Sequence, residues 1–364
     1  MANYISSLLL AYQGKIAQQL NAAEIREIDV PILNSALASA PLALGIDAQS
    51  IRDSTKRSVY TYGFNKYNPS VVNARALAPT GAQGDSNQTA LSWTTYAVTA
   101  ELFAQTGMDN KYSPQEMLNN QVSQMQRALR EDIGLNIVAN LHNNRTQVSR
   151  AVLDGKPASS ILGTDVIWDP VNYCYQISSN RKSTFFQAAA NVMQQNYYYD
   201  SLRAVADPAT FDNAQFLMNQ GVGNAVNYDF QFQGYVPGKE GIMMHPQLGT
   251  TVSELGIATG GTAIIFPTGI IEAYCVVPWI PLRNRRGDGD MDSYNGGYGT
   301  IIDDKGYDLT YAVRGWAQKA DGSGSGSVLQ DTVNYLELSV DIAFVAAPMP
   351  TNAGESAIIE FVQV

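Results

Sequence analysis

Between Leu118 and Leu141 the residues Leu118, Val122, Met125, Leu129, Ile133, Ile137 and Leu141 recur at steps of three and four. That spacing draws one apolar stripe along a helix. Gln121, Gln124, Gln126, Arg127, Arg130, Glu131 and Asn140 fall between them and read as its polar outer face. Ser113-Pro114-Gln115-Glu116 supplies the start: a serine cap, a proline suited to the first helical position, and a glutamate that reaches back. The span 113–143 is therefore read as one rod on the order of 40 Å long. A mean globular helix has only about 11–12 residues. Taken alone, the stripe equally fits an ordinary amphipathic helix packed on a sheet, so the flanks matter.

The flanks switch to a period of two. Val59, Tyr60, Tyr62 and Phe64 mark a strand over 58–64, and Asn65-Lys66-Tyr67-Asn68-Pro69 marks a turn. Val71–Leu77 is a second extended piece and 79–87 is turn-rich. Thr89–Phe103 reads as one long strand, with Leu91, Trp93, Thr95, Ala97, Thr99 and Glu101 on one side and Tyr96, Val98, Ala100 and Leu102 on the other. Two long β arms joined by a polar tip project more readily than they pack. Residues 1–57 open with a short amphipathic helix (Tyr4 to Leu20) and continue as irregular chain, too little for a core of its own.

Beyond the long helix, Thr184–Asn196 is a second helix with Phe185, Ala189, Val192 and Met193 inward and Thr184/Gln187 as its cap. Leu202–Ala206 is a buried strand ending in Asp207-Pro208, and Phe211–Met218 another helix. Tyr228–Tyr235, Ala263–Phe266 and Ala273–Trp279 read as strands, the last two separated by Pro267-Thr268-Gly269. Arg283–Thr300 is a charged, glycine-rich loop, and Asp321–Ser327 a flexible connector. Tyr335, Glu337, Ser339 and Asp341 alternate with Leu336, Leu338, Val340, Ile342 and Phe344 in a strand, and Ile358–Val362 is the final one. The class is α+β.

Composition narrows the function. The 364 residues are 45% hydrophobic and only 15% charged, which suits a subunit that hides surface against neighbours. A net charge of −10 argues against nucleic-acid binding by bulk electrostatics. Arg127, Arg130, Arg145 and Arg150, and likewise Arg283, Arg285 and Arg286, are read as solvated faces or subunit contacts. Two cysteines, Cys174 and Cys275, give no disulfide framework and read as buried thiols. No run approaches the ~20 apolar residues that span a bilayer, and the start lacks a signal peptide's features. The sequons at Asn87 and Asn144 are then chance.

Candidate chemistry is sparse. His142 and His245 are the two histidines and read as structural. There is no HExxH, Walker loop or CxxC, and Gly221-Val222-Gly223 follows a helix and lacks the third glycine of a dinucleotide loop. Asp288, Asp290 and Asp292 resemble the opening of a calcium loop, but Ser293 stands where its glycine belongs and Gly299 where its bidentate glutamate belongs. Arg286-Gly287-Asp288 is too short to carry an adhesion reading. No catalytic, cofactor-binding or metal residue is assigned, and no cofactor. The Tyr, Asn and Gln content, Tyr197-Tyr198-Tyr199 especially, suits contact surfaces or a glycan site.

The order of these elements resembles that of tailed-bacteriophage major capsid proteins, the Hong Kong 97-type coat fold. The cues are Leu91–Phe103 running into Ser113-Pro114-Gln115-Glu116 and the long helix, then Val205-Ala206-Asp207-Pro208-Ala209-Thr210-Phe211, and the late Asn334–Val345 strand. The resemblance covers nearly the whole chain through order and spacing. It implies an N-terminal arm (1–57), an extended β loop (58–92) and a peripheral domain (93–180) with a spine helix at 113–143. An axial domain (181–330) and strands returning to the peripheral domain (331–364) would follow.

It further implies a non-enzymatic subunit of an icosahedral shell that self-assembles as hexamers and pentamers around packaged double-stranded DNA. The expected location is the virion, after assembly in the bacterial cytoplasm and with no membrane involved. With the β loop beginning near residue 58 there is no room for a built-in scaffolding segment, so a separate scaffolding protein is expected, with a portal protein and a decoration protein as further partners. Lys66 lies near a loop that some relatives cross-link, but no partner asparagine is identifiable. The alternatives are an encapsulin-like nanocompartment shell and a β-rich carbohydrate-binding or adhesin protein.

Overall fold

The computed structural model describes residues 36, 60–64, 86–90, 92–102, 114–157, 161–198, 202–211, 241–245, 248, 261–276, 297–305, 307, 309–319, 332–346 and 354–364. The expected arm, the Val71–Leu77 and Tyr228–Tyr235 strands, the Asp288/Asp290/Asp292 loop, Arg283, Arg285, Arg286 and the 321–327 connector lie outside them, apart from Ala36.

The long stripe forms one helix, α1 (Pro114–Asn143), of 30 residues. All seven residues of the stripe are buried, as is Val138. Burying each such aliphatic side chain stabilises by roughly 1.5–3 kcal/mol, so the stripe alone fixes the helix to its support. Its expected cap, Ser113, lies outside the described residues. Two residues expected on the outer face, Gln126 and Arg130, are instead buried. They flank the stripe one turn apart, where polar partners from another element meet them.

The support is an antiparallel sheet built around β13 (Thr332–Ala346). Along one side of β13 runs β3 (Trp93–Leu102). Along the other, β12 (Thr310–Lys319) and β10 (Ile271–Val276) lie end to end. β11 (Gly297–Ile302) pairs with β12 at the margin. Register places Leu336, Leu338 and Val340 opposite Ala100, Val98 and Tyr96, and this face joins the core under α1. The expected alternation of β3 and β13 therefore holds. The expected Thr89–Phe103 strand does not: it is interrupted at Ser92, because Ser86–Ala90 (β2) pairs with Tyr60–Phe64 (β1) while β3 pairs with β13. Residues 297–300, expected in a loop, begin β11.

Beyond α1 the chain forms a short helix, α2 (Arg150–Leu153), and a short strand, β4 (Ile161–Thr164), before a second sheet, which is mixed. It contains β5 (Val166–Asp169), β6 (Cys174–Ile177), β14 (Ile359–Gln363), β9 (Gly261–Pro267), β7 (Leu202–Ala206) and β8 (Gly241–Met244), adjacent in that order. It is covered on both faces. Cys174, Val205, Ile264, Phe266 and Val362 join the core of α1, while Tyr175, Ala204, Ile265 and Phe361 pack with α3 (Phe185–Gln195). Two-sided burial explains why every position of β9 and β14 is buried and why Ala263–Phe266 reads as an unbroken apolar run. Phe185, Ala189, Val192 and Met193 point inward as expected. Thr184 makes no side-chain cap bond; Ser178 caps the preceding 3-10 turn, Ser179–Thr184, by accepting from Asn180 N–H.

β9 and β10 belong to different sheets, and the turn between them, with Gly269 at φ 82°, carries the chain across. β10–β12 lie within 181–330, expected as axial domain, yet pair into the sheet beneath α1. Of the strands within 331–364, β13 lies in the sheet beneath α1, while β14 lies in the second sheet with Val362 in the core of α1.

Asp207-Pro208 starts a helical turn at Pro208, three residues before the expected helix, with Asp207 Oδ1 accepting Thr210 N–H at 2.9 Å. Gly261 lets this turn approach β9: a Cβ there would lie 2.3 Å from Thr210 Oγ1 and 3.4 Å from Asp207 Oδ1. Gly261→Ala is expected to cost about 1–3 kcal/mol by overpacking, measured by urea unfolding. A loss near zero would mean that the turn is free to move away.

Candidate functional site

Buried polar groups add to the apolar stripe in holding α1 in position. At mid-helix, Arg130 Nη1 donates to Asp303 Oδ1 at 2.5 Å and to Asp304 Oδ1 at 2.7 Å. Both acceptors sit on the turn between β11 and β12. Ser123 donates to Asp304 Oδ2 and Gln126 Nε2 to the Ile302 carbonyl, while Asp304 N–H donates to Gln126 Oε1. Tyr311 O–H and Lys305 N–H also donate to Asp303. Burial pushes the Asp303 carboxyl above its usual range, against the downward pull of Arg130. The Tyr311 phenol is likewise raised by burial and by Asp303.

A second anchor lies at the end of α1. Glu360, fully buried on β14, has Oε2 3.0 Å from Arg145 Nε and 3.2 Å from His142 Nδ1. Arg145 also donates to the carbonyls of His142 and Asn172. Thr146 N–H donates to the Ile358 carbonyl and Gln147 N–H to that of Gly354, stitching the helix exit to the segment that leads into β14. Arg150 Nη1 lies 3.6 Å from Glu355, and a buried network of Ser149, Tyr175 and Asn196 adjoins it. Arg130, expected with Arg145 and Arg150 as a solvated face or subunit contact, is therefore a buried ion-pair partner, and Arg145 and Arg150 are half-buried ones. Arg127 remains on the surface, paired with Glu131 one turn on.

Little of this is chemically reactive. Both cysteines are buried, as expected. Burial, with Glu360 and Asp169 adding to it, pushes the Cys174 thiol up to about 12, far from the thiolate a nucleophile needs. His245 is buried beside β7, its backbone N–H donating to the Ala206 carbonyl. Among the described residues no group of three or more His, Cys, Asp or Glu is placed to hold a metal. Among them, no helix is long and apolar enough to cross a membrane. Of the tyrosine run, Tyr197 is 55% exposed with Arg150 6.0 Å from its ring, Tyr198 is half-buried and Tyr199 lies outside the described residues.

Sequence reading missed Asp303, Asp304 and Glu360. The acidic pair sits before Lys305-Gly306 and reads as a solvated turn. Glu360 did leave a signal, a lone carboxylate inside Ile358-Ile359-Glu360-Phe361-Val362, where a buried strand must pair any charge it carries.

No family model matches the chain, and no curated protein matches it. Among solved structures, one from "Cyanophage Pam1 capsid asymmetric unit" aligns over 95% of both chains at 9% identity with a TM-score of 0.50. This chain has a phage-capsid fold. "Cyanophage A-1(L) capsid asymmetric unit" aligns over 94% of both chains at 12% identity and a TM-score of 0.48. A structure titled "Mycobacterium phage Che8" aligns over 94% of both at 10% and 0.47. In this phage-capsid fold, the two anchors tie the longest described helix to both sheets.

Proposed function

We propose that this chain is the structural subunit of an icosahedral bacteriophage capsid of the Hong Kong 97 type, assembling as hexamers and pentamers around double-stranded DNA in the virion. The observation that carries the reading is the fold shared with the Pam1 capsid structure along nearly the full length of both chains. On this reading α1 with the β13-centred sheet is the peripheral domain and the six-stranded sheet with α3 the axial domain. Shape, not reactivity, is then the product: buried ion pairs stiffen the helix, and symmetry repeats one set of contacts into a closed shell. A scaffolding protein, a portal protein and a decoration protein are its proposed partners.

The β1–β2 ribbon supports the same reading. Its strands pair with each other and, among the described residues, with no other strand. A two-stranded ribbon on its own is marginally stable, so a neighbouring copy is its natural support.

Co-expression with a scaffolding protein and negative-stain microscopy test the function. Closed shells of uniform diameter are expected. A chain that stays monomeric at high concentration, with and without scaffold, overturns the reading; shells filled with a protein cargo instead of nucleic acid would favour a nanocompartment.

A further inference from the structure

We propose that the turn between β5 and β6 is a pre-formed apolar contact point that seats against a second copy of this chain; this rests on the shell reading above. The turn, residues 170–173, presents Val171 at 80% exposure and Tyr173 at 37%. Ile167 on the same hairpin is exposed as well. Apolar side chains displayed at the tip of a turn bring no stability to the isolated subunit.

The turn is nevertheless rigidly built. Asp169 accepts from Val171 N–H at 2.9 Å, Asn172 N–H at 3.2 Å, Asn172 Nδ2 at 2.7 Å and Gln176 Nε2 at 2.8 Å. Burial works to raise the Asp169 carboxyl, but these bonds outweigh it and hold it below its usual range. From outside the hairpin, Arg145 Nη2 donates to the Asn172 carbonyl at 3.3 Å, tying the turn to the Glu360 anchor. Tyr173 adopts φ 54°, a left-handed conformation that a bulky residue rarely takes. Strain held by so many bonds around an exposed aromatic is the mark of a surface arranged before its partner arrives.

Two observations select the partner. The tip, Pro170-Val171-Asn172-Tyr173, is uncharged, and the adjacent carboxylate, Asp169, is occupied by the four bonds above. Copies that each carry a net charge of −10 meet most easily through such neutral points. The tip also offers only a few hundred Å² at most, below the roughly 800 Å² per partner of a free-standing complex. It serves as one anchor among many in a lattice, where each copy makes the same contact.

The test compares wild type with Val171→Asp and Tyr173→Asn in the full chain co-expressed with its scaffold, reading shell yield and the melting temperature of unassembled subunit. Asparagine tolerates the left-handed backbone, so Tyr173→Asn removes the ring without breaking the turn. Expected are a drop in shell yield of about tenfold or more for Val171→Asp, a smaller drop for Tyr173→Asn, and unchanged subunit melting in both; tenfold corresponds to only ~1.4 kcal/mol per contact. Wild-type yield in both variants overturns the proposal while leaving the shell reading intact. A fall in subunit melting that accounts for the lost yield in both also overturns it, since the turn would then be a folding element. Failure of the wild type itself to assemble overturns the shell reading, and this proposal with it.

Discussion

Arg130→Met is expected to lose about 3–5 kcal/mol of subunit stability, the range for breaking a buried ion pair from one side. The guanidinium is 1% exposed and answers two carboxylates; without it Asp303, at 0% exposure, keeps a charge with no cation against it. Asp303→Asn should cost less, about 1–2 kcal/mol, because the amide keeps an acceptor for Tyr311 and Arg130 still has Asp304. The pH dependence follows from the direction of the Asp303 shift. Its folded pKa lies above the unfolded value, so its contribution is full below the ordinary carboxylate range, about pH 4, and declines as pH rises through the folded value. Methionine removes the downward pull of Arg130 and widens that window. The deficit of Arg130→Met should therefore shrink between pH 7 and pH 5 as Asp303 takes up a proton. Urea unfolding at both pH values checks this; a deficit under 1 kcal/mol, or one that grows on acidification, contradicts the buried-pair account.

The long helix was legible because its information is local. Seven apolar positions at helical spacing fix both its extent and the face it buries, and that face is the one observed. The alternation of β3 and β13 was legible for the same reason. What failed was non-local. Ala263–Phe266 and Ala273–Trp279 look like neighbours in one unit, yet Gly269 turns the chain between sheets, and no periodicity names a strand's partner. The interruption at Ser92 was hidden too, since Thr89 and Trp93 carry the same alternation although they serve different ladders.

Polar residues misled in the opposite direction. Arg130, Gln126 and Arg145 have the composition of a solvated face, and their withdrawal from solvent, full for the first two and partial for Arg145, depends on Asp303, Asp304 and Glu360, more than 170 residues away in sequence. A charge pattern on one helix cannot show whether its counter-charges arrive from elsewhere. The resemblance to capsid proteins needed only the order of elements, which is why it could be drawn before any of these partners was visible.

The anchor at the helix exit should behave differently from the one at mid-helix. Glu360→Ala is expected to cost about 2–4 kcal/mol, combining the lost ion pair with the space left by a buried side chain. Arg145 is not stranded by it, because the carbonyls of His142 and Asn172 still accept its N–H groups. The larger effect is local. Thr146 and Gln147 donate to the carbonyls of Ile358 and Gly354, and Glu360 is the charged group that holds Arg145 and His142 against this segment. Amide hydrogen exchange at Thr146 and Gln147 should accelerate by about tenfold or more in Glu360→Ala, while the amides of β13 keep their relative protection once global stability is accounted for. A double-mutant cycle with Arg145→Met should return a coupling of about 1–2 kcal/mol. Unchanged exchange at 146–147 would show that backbone bonds alone dock the end of α1, and the stiffness attributed to this helix would then rest on Arg130 by itself.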